Sequence, residues 1–268
     1  MDTSNLSKEF LSKLFSDGKR FDSRGLLDLA HVEISFDVSS KAEGSARVKL
    51  GKTEVIAGIK LSPGDPYPDS LDKGNLTVSG DLLPLASPRF ELGPPGFDGI
   101  EGPRLIDRMI RESGMISLDK LVIKKGGKVW NVFIDVYPIN DDGSLIDASA
   151  IACVAALKQA MLPELNDDLR IDYDKEAKEK LPLSNQLPLS FTFFKLGKNI
   201  ILHPTREEEE ACEGKVTFGI SKWNGQYMIH SGQKGMASPF SAEEIGNIAK
   251  ILPEKYEELC KKVNKFIK

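Results

Sequence analysis

In the run DVYPINDDGSLIDASAIACVAAL, residues 135–157, a strand-like segment ends at a glycine turn and an alanine-rich helix opens behind it. A helix N-terminus presents unpaired N–H groups and the positive end of the helix dipole, so such a turn suits phosphate. The turn is Gly143, Ser144 and Leu145, with no Arg or Lys beside it. Taken alone, it reads equally as a working anion seat, a disabled one, or a plain turn. A second group is Arg104, Arg108 and Arg111 in IEGPRLIDRMIRES. At helical spacing they share one face within roughly 60° of arc. Leu105, Ile106, Met109 and Ile110 fall opposite and are expected to be buried. Guanidinium presents a planar fork to an oxyanion, so three arginines on one face favour phosphate recognition. The competing reading is a solvated face held by local pairs, Asp107 to Arg111 and Arg108 to Glu112. The pattern alone leaves both open.

Two weaker signals have plainer readings. Gly51-Lys52-Thr53 repeats the tail of a phosphate-binding loop, but position 46 is Ala where the earlier glycine is required. It also lies between strands, which makes it a hairpin turn. The run Arg206–Glu210 offers four carboxylates to a divalent cation, but such a run reads more simply as a solvated loop.

The chain of 268 residues is 40% hydrophobic and 28% charged, enough for one large domain or two small ones. No apolar run is long enough to cross a membrane, and the N-terminal stretch has no signal-peptide core. Cys153, Cys212 and Cys260 are an odd, scattered set, which argues for a reducing cytoplasm and against disulfides or a zinc cluster. The three histidines are scattered too, and neither metal nor cofactor is expected. With a net charge of −4, a nucleic-acid role requires a local basic patch or a basic partner.

Periodicity supplies the frame. Leu6, Phe10, Leu11 and Leu14 form one stripe of an N-terminal helix closed by Gly18. HVEISFDV, GSARVKLG and TEVIAGIKLS read as successive strands, the last two joined at Gly51-Lys52. NLTVSGDLLPL is a further strand, followed by a Pro/Gly loop carrying Arg89 and a helix over about 100–113. A hairpin across Gly126-Gly127 leads to the alanine-rich helix, which runs to about Met161. Residues 163–187 are polar and aperiodic, as in a linker or long connection. Two hairpins turning at Gly197-Lys198 and Asn224-Gly225 follow. Ser241 and Glu244 form a capping box before a C-terminal helical region that Pro253 should break or kink. The order predicts an α+β protein: an N-terminal helix over 1–19, one half over 20–162, a connection over 163–187 and a second half over 188–268.

Several segments together resemble the RNase PH family, and most of all its non-catalytic archaeal exosome branch. They are RFDSRG (20–25), KAEGSARVKLGKTEVIAGIKLSPGDPYPDS (41–70), DLLPLASPRFELGPPG (81–96), DRMIRES (107–113), the run 118–157 and LHPTREEE (202–209). The resemblance covers nearly the whole chain in order. It implies the RNase PH-like fold (ribosomal protein S5 domain 2-like), with two βα-rich halves packed together. It also implies a ring of six subunits, three of them a catalytic RNase PH-like paralogue, with RNA-binding cap subunits and single-stranded RNA as further partners. The activity it implies is 3′-to-5′ phosphorolysis, in which inorganic phosphate attacks the terminal linkage and releases a nucleoside diphosphate.

Active members of the family carry a Gly-Thr-Arg turn whose Arg holds the attacking phosphate. Here Leu145 stands in the place of that Arg. They also carry paired aspartates, where this chain has His203, with Glu209 six residues on. Without a cation the phosphate is neither positioned nor neutralised, and a helix N-terminus alone offers only about 0.3–1 kcal/mol. The resemblance therefore implies a subunit inactive alone. It also implies RNA contact by some of Arg104, Arg108 and Arg111, since the matching segment of the branch lies near the shared active site. An active ribonuclease with a divergent site is the rival, discriminated by Leu145. A pure scaffold is a third reading, discriminated by the arginine face.

Overall fold

The structure is a computed structural model and describes residues 5–267. Helix α1 (Asn5–Ser16) precedes strands β1 (Val32–Phe36), β2 (Gly44–Leu50), β3 (Thr53–Gly64) and β4 (Asn75–Gly80). Helix α2 (Phe97–Ser113) leads to β5 (Val122–Lys124) and β6 (Lys128–Asn140), and α3 (Leu145–Gln159) follows. A short pair, β7 (Met161–Leu162) and β8 (Glu179–Lys180), brackets the long connection. The second half holds β9 (Leu189–Leu196), β10 (Asn199–Leu202), α4 (Arg206–Ala211), β11 (Gly214–Trp223), β12 (Gln226–Gly235) and α5 (Ala242–Val263).

The first sheet runs β1-β2-β3-β6-β4, with β5 paired to the start of β6. It is antiparallel except for β4 against β6. Alternation sets its buried face: Val55, Ala57, Ile59 and Leu61 of β3 are fully enclosed, while the residues between them are half-buried. The second sheet runs β10-β9-β11-β12, all antiparallel. Between the sheets lies α3, buried along nearly its whole length and in contact with β2, β3 and β9. A helix enclosed on all sides has little amphipathic character, and its small residues let both layers come close. At Gly44 a methyl group would sit 2.5 Å from the Ala156 carbonyl, so any side chain there would push β2 off the helix. One hydrophobic cluster runs from Leu29 to Ile267 and takes in both sheets, so the halves share a core.

The predicted hairpin turns all occur. Asn224 and Gly225 both take positive φ, 48° and 83°, as the tightest two-residue hairpins require. Four expectations change. Helix α1 buries Leu11 and Phe15, whereas Leu6 and Phe10 stay exposed, because the sheet edge and α4 meet a different stripe. Strand β4 ends at Gly80, and the DLLPL that follows leaves the sheet. The connection 163–187 is tied down by bridges Leu165↔Ile171 and Ile116↔Leu183. Pro253 does not break α5, which continues for ten residues beyond it to Val263. The lost backbone bond costs about 3 kcal/mol in an isolated helix. Ile248, Leu252, Tyr256, Leu259 and Val263 bury one stripe across that point, and this packing carries the helix through. The reciprocal Ser241–Glu244 capping box is present, with Glu244 N–H donating to Ser241 Oγ at 3.1 Å.

Candidate RNA face and candidate phosphate turn

Gly143 and Ser144 both have positive φ, 90° and 56°, and hold the chain in a left-handed turn at the mouth of α3. A methyl group on Gly143 would meet the Pro204 carbonyl at 2.5 Å, so both dihedral and space select glycine. Thr53, from the Gly51-Lys52-Thr53 turn, clamps this structure. Its hydroxyl donates to Gly143 O at 2.6 Å and accepts from Asp142 N–H at 2.9 Å. The glycine-lysine-threonine run is thus a hairpin, as expected, with its threonine shaping the anion turn from ninety residues away.

The anion place is already filled. Ser144 N–H donates to Glu209 Oε2 at 2.8 Å, so a carboxylate of the chain itself sits on the turn. Burial raises the Glu209 pKa, while the Ser144 hydrogen bond and the nearby Arg89 charge pull it back. A cavity of about 80 Å³ opens beside the turn and includes Arg89, Leu145, Glu209 and Lys215 in its wall. The cations near the turn each have a carboxylate partner, although the buried Arg89 Nε has no hydrogen-bond partner. Arg89 pairs with buried Asp141 at 2.9 Å, Lys215 with Glu101 at 2.6 Å, and Arg206 with Glu210 at 2.7 Å. Arg206 also reaches the Ser87 hydroxyl and, at 3.4 Å, Asp141. Leu145 contributes only an apolar wall.

The run Arg206–Glu210 is not a solvated loop: it forms α4, with Glu208 buried, Glu209 and Glu210 partly buried and only Glu207 exposed. Among the described residues no group of three or more acids, histidines or cysteines is arranged to hold a metal. Glu208 closes a capping box with Thr205 and forms a buried pair with Arg20, whose Nη2 lies 2.5 Å from Oε2. Arg20 also donates to the Leu202 and His203 carbonyls at 3.0 and 2.9 Å. The RFDSRG segment is therefore structural, since its first arginine straps the chain before α4. His203 is buried, and its Nδ1 accepts from Ala30 N–H at 3.1 Å, which places the proton on Nε2. That Nε2 has no hydrogen-bond partner and lies 3.7 Å from Asp147 Oδ2. Burial, with Arg24 and Lys262 nearby, lowers the His203 pKa to about 3. His203 and Glu209 are thus not brought together as a pair: one faces the core and the other faces Ser144.

Helix α2 presents the arginines as the spacing predicts. Leu105, Ile106, Met109 and Ile110 are buried, and Arg104, Arg108 and Arg111 are exposed. Gly219 on β11 lets the helix press in, since a methyl group there would meet Met109 Cγ at 2.8 Å. The three arginines are not equivalent. Arg111 forms the expected pair with Asp107, at 3.0 and 2.7 Å, and also donates to Leu76 O at 2.9 Å. Arg108 does not pair with Glu112; its Nη2 leans to Gln233 Oε1 of β12, a long contact at 3.4 Å. Arg104 has no carboxylate partner among the described residues, and its fork and that of Arg108 border a groove with Leu76, Thr77 and Val78.

A doubly layered α+β fold, an internal helix opening on an anion turn and an exposed arginine ridge define the class. The chain belongs to the 3′ exoribonuclease (RNase PH) family: the model of its first domain matches residues 28–163 and that of its second domain residues 186–251. The chain is 41% identical over 254 residues to the exosome complex component Rrp42 of Methanosarcina acetivorans, covering 95% of this chain and 92% of that one. Among solved structures, a chain of the Archaeoglobus fulgidus exosome with RNA bound to the active site superposes with a TM-score of 0.88 at 37% identity, covering 96% of this chain and 98% of that one. A chain of an archaeal exosome core gives 0.84 at 34% identity, with 97% of both chains covered.

Proposed function

We propose that this chain is a non-catalytic subunit of a cytoplasmic exosome that degrades RNA from its 3′ end. In this reading it alternates with a catalytic RNase PH-like paralogue in a six-membered ring, three copies of each, beneath RNA-binding cap subunits. It helps to form the paralogue's active site and holds single-stranded RNA on the α2 arginines. The observation that carries the inactive reading is the Ser144 N–H bound by Glu209. An attacking phosphate would have to displace a tethered carboxylate from a turn whose neighbouring cations are already paired. Electrostatic stabilisation at such a centre requires uncommitted donors aimed at the developing charge. The RNA reading is supported by Arg104 and Arg108, which lie exposed with no carboxylate partner among the described residues. The unpaired cysteines Cys153, Cys212 and Cys260 agree with a reducing compartment.

Co-expression with the catalytic paralogue tests this. Phosphate-dependent release of nucleoside diphosphates from poly(A) is expected from the mixture and absent from this chain alone. Release by the purified chain, free of any partner, would sink the reading.

A further inference from the structure

Strand β4 ends the first sheet, and among the described residues its outer side has no strand neighbour. Leu76 O turns outward on that side, where Arg111 donates to it. Alternation along a strand then turns the polar backbone of Thr77 inward to β6 and that of Val78 outward again. The groove beside this edge, about 410 Å³, runs between Leu76, Thr77 and Val78 on one wall and Arg104, Asp107 and Arg108 on the other. That volume lies within the range of ligand sites, about 300–1,000 Å³. Asp107 is the one acid in the groove, and Arg111 binds both of its carboxylate oxygens. What remains is a slot with two exposed guanidiniums on one side and, on the other, the outward N–H and C=O of Val78.

We propose that the edge of β4 is the second wall of the RNA seat: a phosphodiester lies in this slot, bound by Arg104 and Arg108 and by the Val78 N–H. The proposal rests on the RNA reading above and adds to it a strand that no arginine motif marks. Charge complementarity selects the occupant, because the exposed donors of the slot are cationic or N–H and its only carboxylate is neutralised from within. Arg111 is a positioning residue here. It ties α2 to β4 and so fixes the width of the slot.

The Thr77 side chain lies exposed in the wall of the slot, outside the core, so it can be changed without repacking the interior. The full chain, assembled with its catalytic paralogue, is titrated with labelled single-stranded RNA at several salt concentrations. Thr77→Glu is expected to weaken binding about tenfold, and Thr77→Lys to tighten it and steepen the salt slope by about 0.7. Arg104→Ala with Arg108→Ala is the control for the underlying reading and should flatten the slope by about 1.4. If the arginine pair lowers affinity while both Thr77 variants bind as the parent does, the β4 wall is wrong and the arginine face stands. If all three bind unchanged, both ideas fall. Melting curves that match the parent's confirm that each variant is folded.

Discussion

At the scale of single residues, what matters is which partner each charge has found. That Leu145 brings no charge to the turn is legible in the sequence, because a residue type is a letter. The inward turn of Glu209 is not, since Glu in a run of acids looks the same whether it faces water or a backbone N–H 65 residues away. The same holds for Arg206, whose carboxylate and hydroxyl partners come from three separate segments. His203 gives the fold a pH dependence. It is neutral in the fold, with a pKa lowered to about 3 by burial, while the unfolded chain takes up a proton near 6.5. As pH falls below about 6.5 the unfolded state gains that proton and the folded state does not, so stability is lost until about pH 3. Buried Asp147 acts in the opposite sense, since burial raises its pKa against the donors Ser190 and Thr192. The comparison must therefore be with His203→Asn. Between pH 7 and 4, the parent should lose several kcal/mol more than the variant in urea denaturation. Equal losses would mean that His203 accepts its proton inside the fold.

Among elements, α2 shows how far a periodic pattern reaches. Its buried stripe and its exposed ridge follow from residue spacing, because a helix converts sequence interval directly into direction. The division of labour on the ridge depends on what lies alongside, and β4 and β12 come from different halves of the chain. Arg111→Ala should therefore cost about 1 kcal/mol of stability, through the Asp107 pair and the Leu76 bond, with little change in salt slope. Arg104→Ala should do the reverse: no stability change, and a slope flatter by about 0.7. Denaturant midpoints beside RNA titrations separate the two, and a large slope change in Arg111→Ala would overturn the assignment. Pro253 teaches the same lesson from the other side. The local rule predicts a break or a kink, and five buried side chains spread along α5 outweigh the break.

For the whole molecule, the class of fold and the pairing of two βα-rich halves follow from element order and from the resemblance, while the single shared core requires coordinates. The N-terminal helix keeps Leu6 and Phe10 exposed, and Phe10 stacks on exposed Phe21 with ring centroids 5.8 Å apart. Apolar side chains grouped on a surface mark contact regions. Mixing this chain with its catalytic paralogue should give one species of six-subunit size by light scattering, and Phe10→Asp with Phe21→Asp should reduce its yield. A mixture that elutes as separate monomers contradicts the ring.

The carboxylate lodged on the Ser144 amide also bears on how the protein can change over generations. Under the proposed role, Leu145→Arg would arrive at a berth with a tenant already moored in it, and is expected to bring no catalysis. Removing Glu209 first would leave the Ser144 amide without its acceptor. Neither substitution helps without the other, so under the proposed non-catalytic role a contact within the chain itself would hold that role in place.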